Sequence, residues 1–499
     1  MRRKKKNVVL EQVLIEDYAA EGKSIARVDG KVVFIERVVP GDVVDVKLFK
    51  SKKDWAEGYP LHFHSFSKER TEPFCQHFGV CGGCQWQMLP YDKQLFYKRQ
   101  QVEDNLTRIG KINLPGIPPV LGSEETKWYR NKLEYTFSSK RFIPESEFRS
   151  AVNKELRSPL IEGSNASSEF SLSEGSAQVA FPNGEGRDGA GFHARGMFDK
   201  VVEIERCWLQ EEPSNAIRKA LSGFARKNNY SFYDYKLHTG FMRSVLLRIC
   251  TTGEIMVNVV MGEDDEAKRN LLLDHLLKEV PSITTLLYTI NTKWNDSLYD
   301  LDPVTVTGKG YVMEKLEDFQ FKIGPKSFFQ TNTKQAEKLY SITRDYAGLT
   351  GSETVYDLYC GTGSIGIFVS KGAKKIIGVE MIADAIADAK ENAALNNIAH
   401  AEFFAGDVIK VCDDAFFAAH GKADVIITDP PRAGMHEKLV KKILEIGAPT
   451  VVYVSCNPAT QARDLRLLDE KYEVTKVQPV DMFPHTHHIE NVAQLKLRG

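Results

Sequence analysis

A chain of 499 residues is too long for one ordinary hydrophobic core, and its length alone predicts about three domains. With 42% hydrophobic and 27% charged residues it has the composition of a soluble globular protein, and no apolar run approaches the ~20 residues of a membrane span. The formal net charge of −1 excludes a global basic field, so attraction to a polyanion has to come from local patches.

The chain opens on Met1-Arg2-Arg3-Lys4-Lys5-Lys6, which reads as a solvated tail or as a patch for nucleic acid. The following Val8-Val9-Leu10-Glu11-Gln12 is too short and polar for a signal peptide, so a cytoplasmic protein with reduced thiols is expected. Alternating patterns predict strands over Val8–Ile15, Ser24–Val28, Val32–Ile35, Asp42–Phe49 and Tyr59–His64, with turns at Asp29-Gly30 and Pro40-Gly41. Short strands at this spacing predict a small barrel, either an oligonucleotide-binding OB type or a structural module without a ligand.

Of the eight cysteines, Cys75, Cys81 and Cys84 form a tight trio. In a reducing compartment such a trio reads as a metal or cluster site rather than as disulfides. A helix is predicted from Tyr91 to Ile109, with apolar Leu95, Val102 and Leu106. Residues 128–137 and 191–320 read as α+β. Between them, about 142–190, a Ser/Gly/Glu-rich stretch predicts a flexible insertion, because it holds too little apolar surface to offset chain entropy.

From about residue 325 strands and helices alternate. Strands are predicted over Thr354–Tyr359, Lys375–Glu380, Ala401–Phe404, Asp424–Asp429 and Thr450–Ser455, with helices near 364–371, 382–396, 436–446 and 458–470. The pattern is that of a parallel, doubly wound α/β domain. Gly361, Gly363 and Gly366 fit G-x-G-x-x-G after its first strand, and Glu380 ends the next, where a carboxylate can accept both ribose hydroxyls. NAD and S-adenosylmethionine both carry such a ribose. Asp429-Pro430-Pro431-Arg432 at the fourth strand favours S-adenosylmethionine, since Asp-Pro-Pro there is typical of methyltransferases acting on planar centres. Cys456 lies between an apolar strand and a helix starting near Pro458, whose dipole would favour a thiolate; a buried structural cysteine is the alternative. Pro484 to Glu490 holds three histidines and a glutamate, and reads as a solvated polar loop rather than a metal site.

Phe328-Phe329-Gln330-Thr331-Asn332, Asp357 to Gly363, Asp429 to Arg432, Ser455 to Pro458 and His485 to Glu490 together resemble the RNA uracil-5-methyltransferase family. Tyr129-Arg130-Asn131-Lys132 and Gly191-Phe192-His193 are similar to its central domain, and the N-terminal barrel with Pro40-Gly41-Asp42 resembles an RNA-binding TRAM domain. The resemblance implies that Gln330, Tyr359, Glu380, Asp407 and Asp429 bind S-adenosylmethionine, that Cys456 is the nucleophile and that Glu490 is the base. Cys75, Cys81 and Cys84, with Cys207 as fourth ligand, resemble the cluster motif of the ribosomal-RNA branch and imply a [4Fe–4S] cluster; zinc on the same four thiols is the alternative.

The expected architecture is multidomain. It comprises a TRAM/OB-like β-barrel over 1–66, an α+β central domain with the Fe–S cluster over 67–324, and a Rossmann-like α/β class I methyltransferase domain over 325–499. The expected function is uridine C5 methylation of large-subunit (23S) ribosomal RNA by a monomer that needs no membrane. A tRNA uridine enzyme and a dual-site rRNA enzyme are the alternatives within the class. Outside it stand a non-catalytic RNA-binding Fe–S protein and, more remotely, an NAD-dependent oxidoreductase. Arg432, where cytosine enzymes carry a second cysteine, favours uracil.

Overall fold

Alternate residues of the N-terminal strands (Val13, Ala26, Val33, Ile35, Val44 and Val46 among them) point to one side and pack together there. The computed structural model describes residues 8–114, 116–144 and 188–499. The strands form one six-stranded sheet in the order Val8–Leu14, Val43–Ser51, Trp55–Ser65, Lys31–Ile35, Ser24–Val28, Asp17–Tyr18. Among the described residues no pairing joins its two outer strands, so the expected closed barrel is corrected to a curled sheet. Asp42 fastens its end. The carboxylate is fully buried and accepts from Val39 N at 2.7 Å, Ser67 N at 2.8 Å and Arg70 Nη2 at 2.7 Å.

The central sheet has seven strands, ordered Val304–Thr307, Thr285–Ile290, Ile255–Met261, Met242–Ile249, Lys132–Ser138, Gly189–His193, Val201–Glu203. Its core includes buried residues of the helices Ser214–Lys227 and Glu266–Glu279. The insertion expected at about 142–190 lies mostly outside the described residues. At its edges Phe142 N donates to Val201 O, and Gly189 and Ala190 begin a strand.

Cys75, Cys81, Cys84 and Cys207 all line one cavity of about 420 Å³. Among the described residues no group of three or more His, Cys, Asp or Glu side chains is placed to hold a metal ion. The expectation of a [4Fe–4S] cluster, or of zinc, in the central domain is therefore overturned.

The C-terminal sheet is ordered Ala401–Ala405, Lys375–Glu380, Thr354–Leu358, Val425–Thr428, Thr450–Ser455, Glu490–Leu497, Tyr472–Val480. The first five strands are parallel, and Glu490–Leu497 enters antiparallel beside Thr450–Ser455. Strands buried on both faces read as continuous apolar runs, which is why the inner four of these five were visible in the sequence. The hairpin Val312–Leu316 and Phe319–Ile323 shares this core, through Leu316, Phe319 and Phe321. Among the described residues no helix is long and apolar enough to cross a membrane.

Candidate active site

Leu358 and Thr428 end neighbouring parallel strands where the strand order reverses, the place at which open α/β sheets bind ligands. The chain beyond Leu358 turns at once through left-handed backbone at Tyr359 (φ 62°), Gly361 (54°) and Gly363 (78°). A Cβ on Gly363 would stand 3.1 Å from Ala389 and from the Phe403 ring, so glycine is required where this turn meets the sheet and helix. Gly366 N donates to Asp357 Oδ2 at 2.8 Å, and burial pushes the Asp357 carboxyl up to about 7.

Gly361 faces open space. Its N–H donates to Glu380 Oε2 at 3.4 Å, and Ile382 N donates to Glu380 Oε1 at 3.0 Å. Thr362 Oγ1 donates to Phe328 O at 3.4 Å, which draws the Phe328–Asn332 segment to the same loop. Phe328, Met381 and Ile382 are 66%, 67% and 50% exposed. A backbone turn open to solvent, a carboxylate and three uncovered apolar side chains fit an adenosine, whose ribose hydroxyls suit Glu380 and whose ring suits the apolar fringe. The three apolar residues were not read from the sequence; their flanking of Gln330 and Glu380 in turn segments was the available signal. Asp407 caps the short helix Val408–Val411 by accepting from Ile409 N at 3.0 Å. Gln330 is buried, and its carbonyl accepts from Asn131 Nδ2 at 2.9 Å.

The register Ser455 opposite Asn491 sets Cys456 and Glu490 on one edge, with Asp429 at the end of the adjacent strand. The two carboxyls feel each other. Burial raises both, and Asp429 raises Glu490 further while Arg432 opposes. Cys456 is half-buried. Burial, then Glu490 and Asp429, push its thiol up to about 11 against the pull of Arg432, which hydrogen-bonds it. The expected thiolate-favouring effect of the helix is thus outweighed. The Pro458–Leu468 helix start is already capped, with Asn457 Oδ1 accepting from Ala459 N at 3.1 Å.

Arg432 is the residue whose part the sequence reading missed. Its Nη2 donates to His488 Nδ1 at 2.7 Å, and its carbonyl accepts from Asn457 Nδ2 at 3.1 Å and Thr460 Oγ1 at 3.2 Å. These bonds tie the Asp429–Arg432 turn to the cysteine turn and to the histidine loop. The histidine loop is packed rather than solvated. His485 O accepts from Gln85 N at 2.8 Å and Trp86 N at 3.0 Å, and His487 donates to Gln85. Burial pushes His485 and His487 down to about 4 and His488 to about 3, so all three rings are neutral near pH 7.

Under this loop lies a fully buried ion pair, Lys98 Nζ to Asp481 Oδ1 at 2.7 Å, with Tyr91 OH donating to Asp481 Oδ2 at 2.9 Å. Removing one partner strands a charge in the core. Lys98→Ala is expected to destabilise the protein by about 3–5 kcal/mol. Urea unfolding followed by far-UV circular dichroism measures it, and a loss below about 1 kcal/mol would show the loop to be anchored elsewhere.

The fold and the glycine-loop site define an S-adenosylmethionine-dependent methyltransferase. The family model for tRNA (uracil-5-)-methyltransferase matches residues 305–498, and that for the TRAM domain matches residues 5–61. A Bacteroides thetaiotaomicron protein described as an RNA methyltransferase is 50% identical over 96% of this chain and 100% of its own. A Porphyromonas gingivalis protein of the same description is 46% identical over 96% and 98%. The chain belongs to this family of RNA methyltransferases. Among solved structures, the Pyrococcus abyssi tRNA (uracil-54, C5)-methyltransferase in complex with S-adenosyl-L-homocysteine is similar over 97% of this chain and 100% of that one. Its TM-score is 0.70 at 27% identity.

Proposed function

We propose that the protein methylates C5 of a uridine in transfer RNA. The observation that carries this reading is the shared edge of Cys456, Asp429, Arg432 and Glu490 beside the glycine loop. The choice of transfer RNA over ribosomal RNA has separate support. A tRNA enzyme aligns with 97% of the chain, a span that must include most of the N-terminal sheet.

Uracil C5 is too weak a nucleophile to take a methyl group unaided. Cys456 gives up its proton to solvent and adds sulfur to C6, which places negative charge over C5 and O4. When bound, S-adenosylmethionine supplies an electrophilic methyl group to that carbon; Gln330, Tyr359, Glu380, Asp407 and Asp429 are the residues proposed to hold it. Glu490 then removes the C5 proton, the C6–S bond breaks, and the thiolate leaves with the aromatic ring restored. A stacked base cannot reach Cys456, so the target uridine has to be unstacked or flipped. Arg432, beside both Cys456 and Glu490, steadies whichever of the two carries charge.

Radiolabelled methyl transfer to unmodified transcripts tests the reading. Label in 5-methyluridine of a tRNA transcript is the expected result. Label only in fragments of ribosomal RNA would move the substrate, and label in another nucleoside would remove the reaction.

A further inference from the structure

A groove of about 750 Å³ opens on the central domain, away from the glycine loop, and its lining includes Gln85, Arg195, Phe198, Tyr235, His238 and Trp294. Trp294 is 80% exposed and Phe198 66% exposed. Leaving an indole in water is costly unless a partner covers it. The Trp294 ring is held rather than loose: it lies on His238 with centroids 4.9 Å apart and an interplanar angle of 2°. One face is therefore backed by imidazole, and the other is presented to solvent.

The groove also carries a cation, Arg195, which pairs with Glu36 at 3.1 Å. The groove's carboxylate, Asp296, is already bonded to Arg243 at 2.9 Å. The groove reaches the proposed catalytic loop: Gln85, in its wall, accepts from His487, whose neighbour His488 accepts from Arg432. Arg195 is also near enough to depress His487.

We infer that this groove is a second RNA subsite, in which one unpaired base flanking the target stacks on Trp294 and the adjoining phosphate sits on Arg195. A platform that reads only a π-face accepts any base, while the cation holds the backbone in register with the catalytic loop. The inference rests on the proposal that the substrate is RNA, and not on which uridine is methylated.

Fluorescence and binding measurements on the protein test it. Trp294 fluorescence, isolated by comparison with Trp294→Phe, should be quenched on titration with a single-stranded RNA decamer. Trp294→Ala should weaken decamer binding about 10-fold, with Trp294→Phe restoring most of it. Arg195→Ala should lower the salt dependence of binding by about one phosphate contact. Affinity for S-adenosylmethionine should not change in any of the three, which separates loss of the subsite from misfolding. Unquenched Trp294, or unchanged decamer affinity in Trp294→Ala, overturns the subsite even if methyl transfer to RNA proceeds. Trp294-dependent decamer binding without methyl transfer upholds the subsite while the proposed reaction falls.

Discussion

Cys456→Ala is expected to lower methyl transfer to RNA by roughly 10⁴-fold or more, while S-adenosylmethionine still binds with near-normal affinity. Removing the sulfur removes the bond to C6, and no other thiol can replace it. Cys360 is buried beneath the glycine turn and Cys412 lies in the core. Cofactor affinity should hold because the glycine loop and Glu380 lie two and three strands away along the sheet edge. Isothermal titration with the cofactor, alongside single-turnover methyl transfer, checks both halves. Retained turnover would eliminate the covalent route, and loss of cofactor binding would mean that the thiol supports the fold rather than the chemistry.

Glu490→Gln is expected to stop the reaction one step later. Addition and methylation precede proton removal, so the variant should accumulate enzyme joined to RNA, visible as a retarded band on a denaturing gel. Only free RNA on that gel would assign the base elsewhere. The substitution also makes two predictions without RNA. Glu490 raises the Cys456 thiol, so removing its charge should lower the thiol's range and speed alkylation by iodoacetamide at a fixed mildly alkaline pH. The second concerns stability. The folded state holds the Glu490 proton more tightly than the unfolded chain does, because burial and Asp429 disfavour the charge. That contribution is complete below the ordinary carboxylate range and is lost as pH rises through the elevated folded range. Glu490→Gln should therefore match the parent protein near pH 4 and exceed it near pH 9 in urea midpoint.

The α/β half was legible because it depends on local pattern. Runs such as Ile376, Ile377 and Val379, or Val451 to Val454, are buried on both faces and are punctuated by the glycines and carboxylates of the binding edge. Glu490 comes to the edge that holds Cys456 through the antiparallel last strand, where Ser455 pairs with Asn491. What was not legible depends on which distant segments meet. The outer strands of the N-terminal sheet could have closed, and their alternation says nothing of whether they pair. The four cysteines share a cavity, yet sequence spacing could not show whether side chains there are placed to hold a metal ion, and among the described residues none are. The direction of the Cys456 shift follows from two carboxylates that arrive from other strands, and these outweigh the adjacent helix end. The histidine loop looked solvent-facing because its partners, Gln85, Trp86 and Gln94, lie about 390–400 residues away in the chain.

The central claim is a bond between the Cys456 sulfur and C6 of a uridine during methyl transfer. A tRNA transcript carrying 5-fluorouridine tests it most directly, since fluorine at C5 cannot be removed as a proton and the adduct cannot resolve. After incubation with S-adenosylmethionine and nuclease and protease digestion, mass spectrometry should find the peptide containing Cys456 joined to a methylated fluorouridine. An unmodified Cys456 peptide under conditions that methylate ordinary transcript, or an adduct on another residue, would contradict the account.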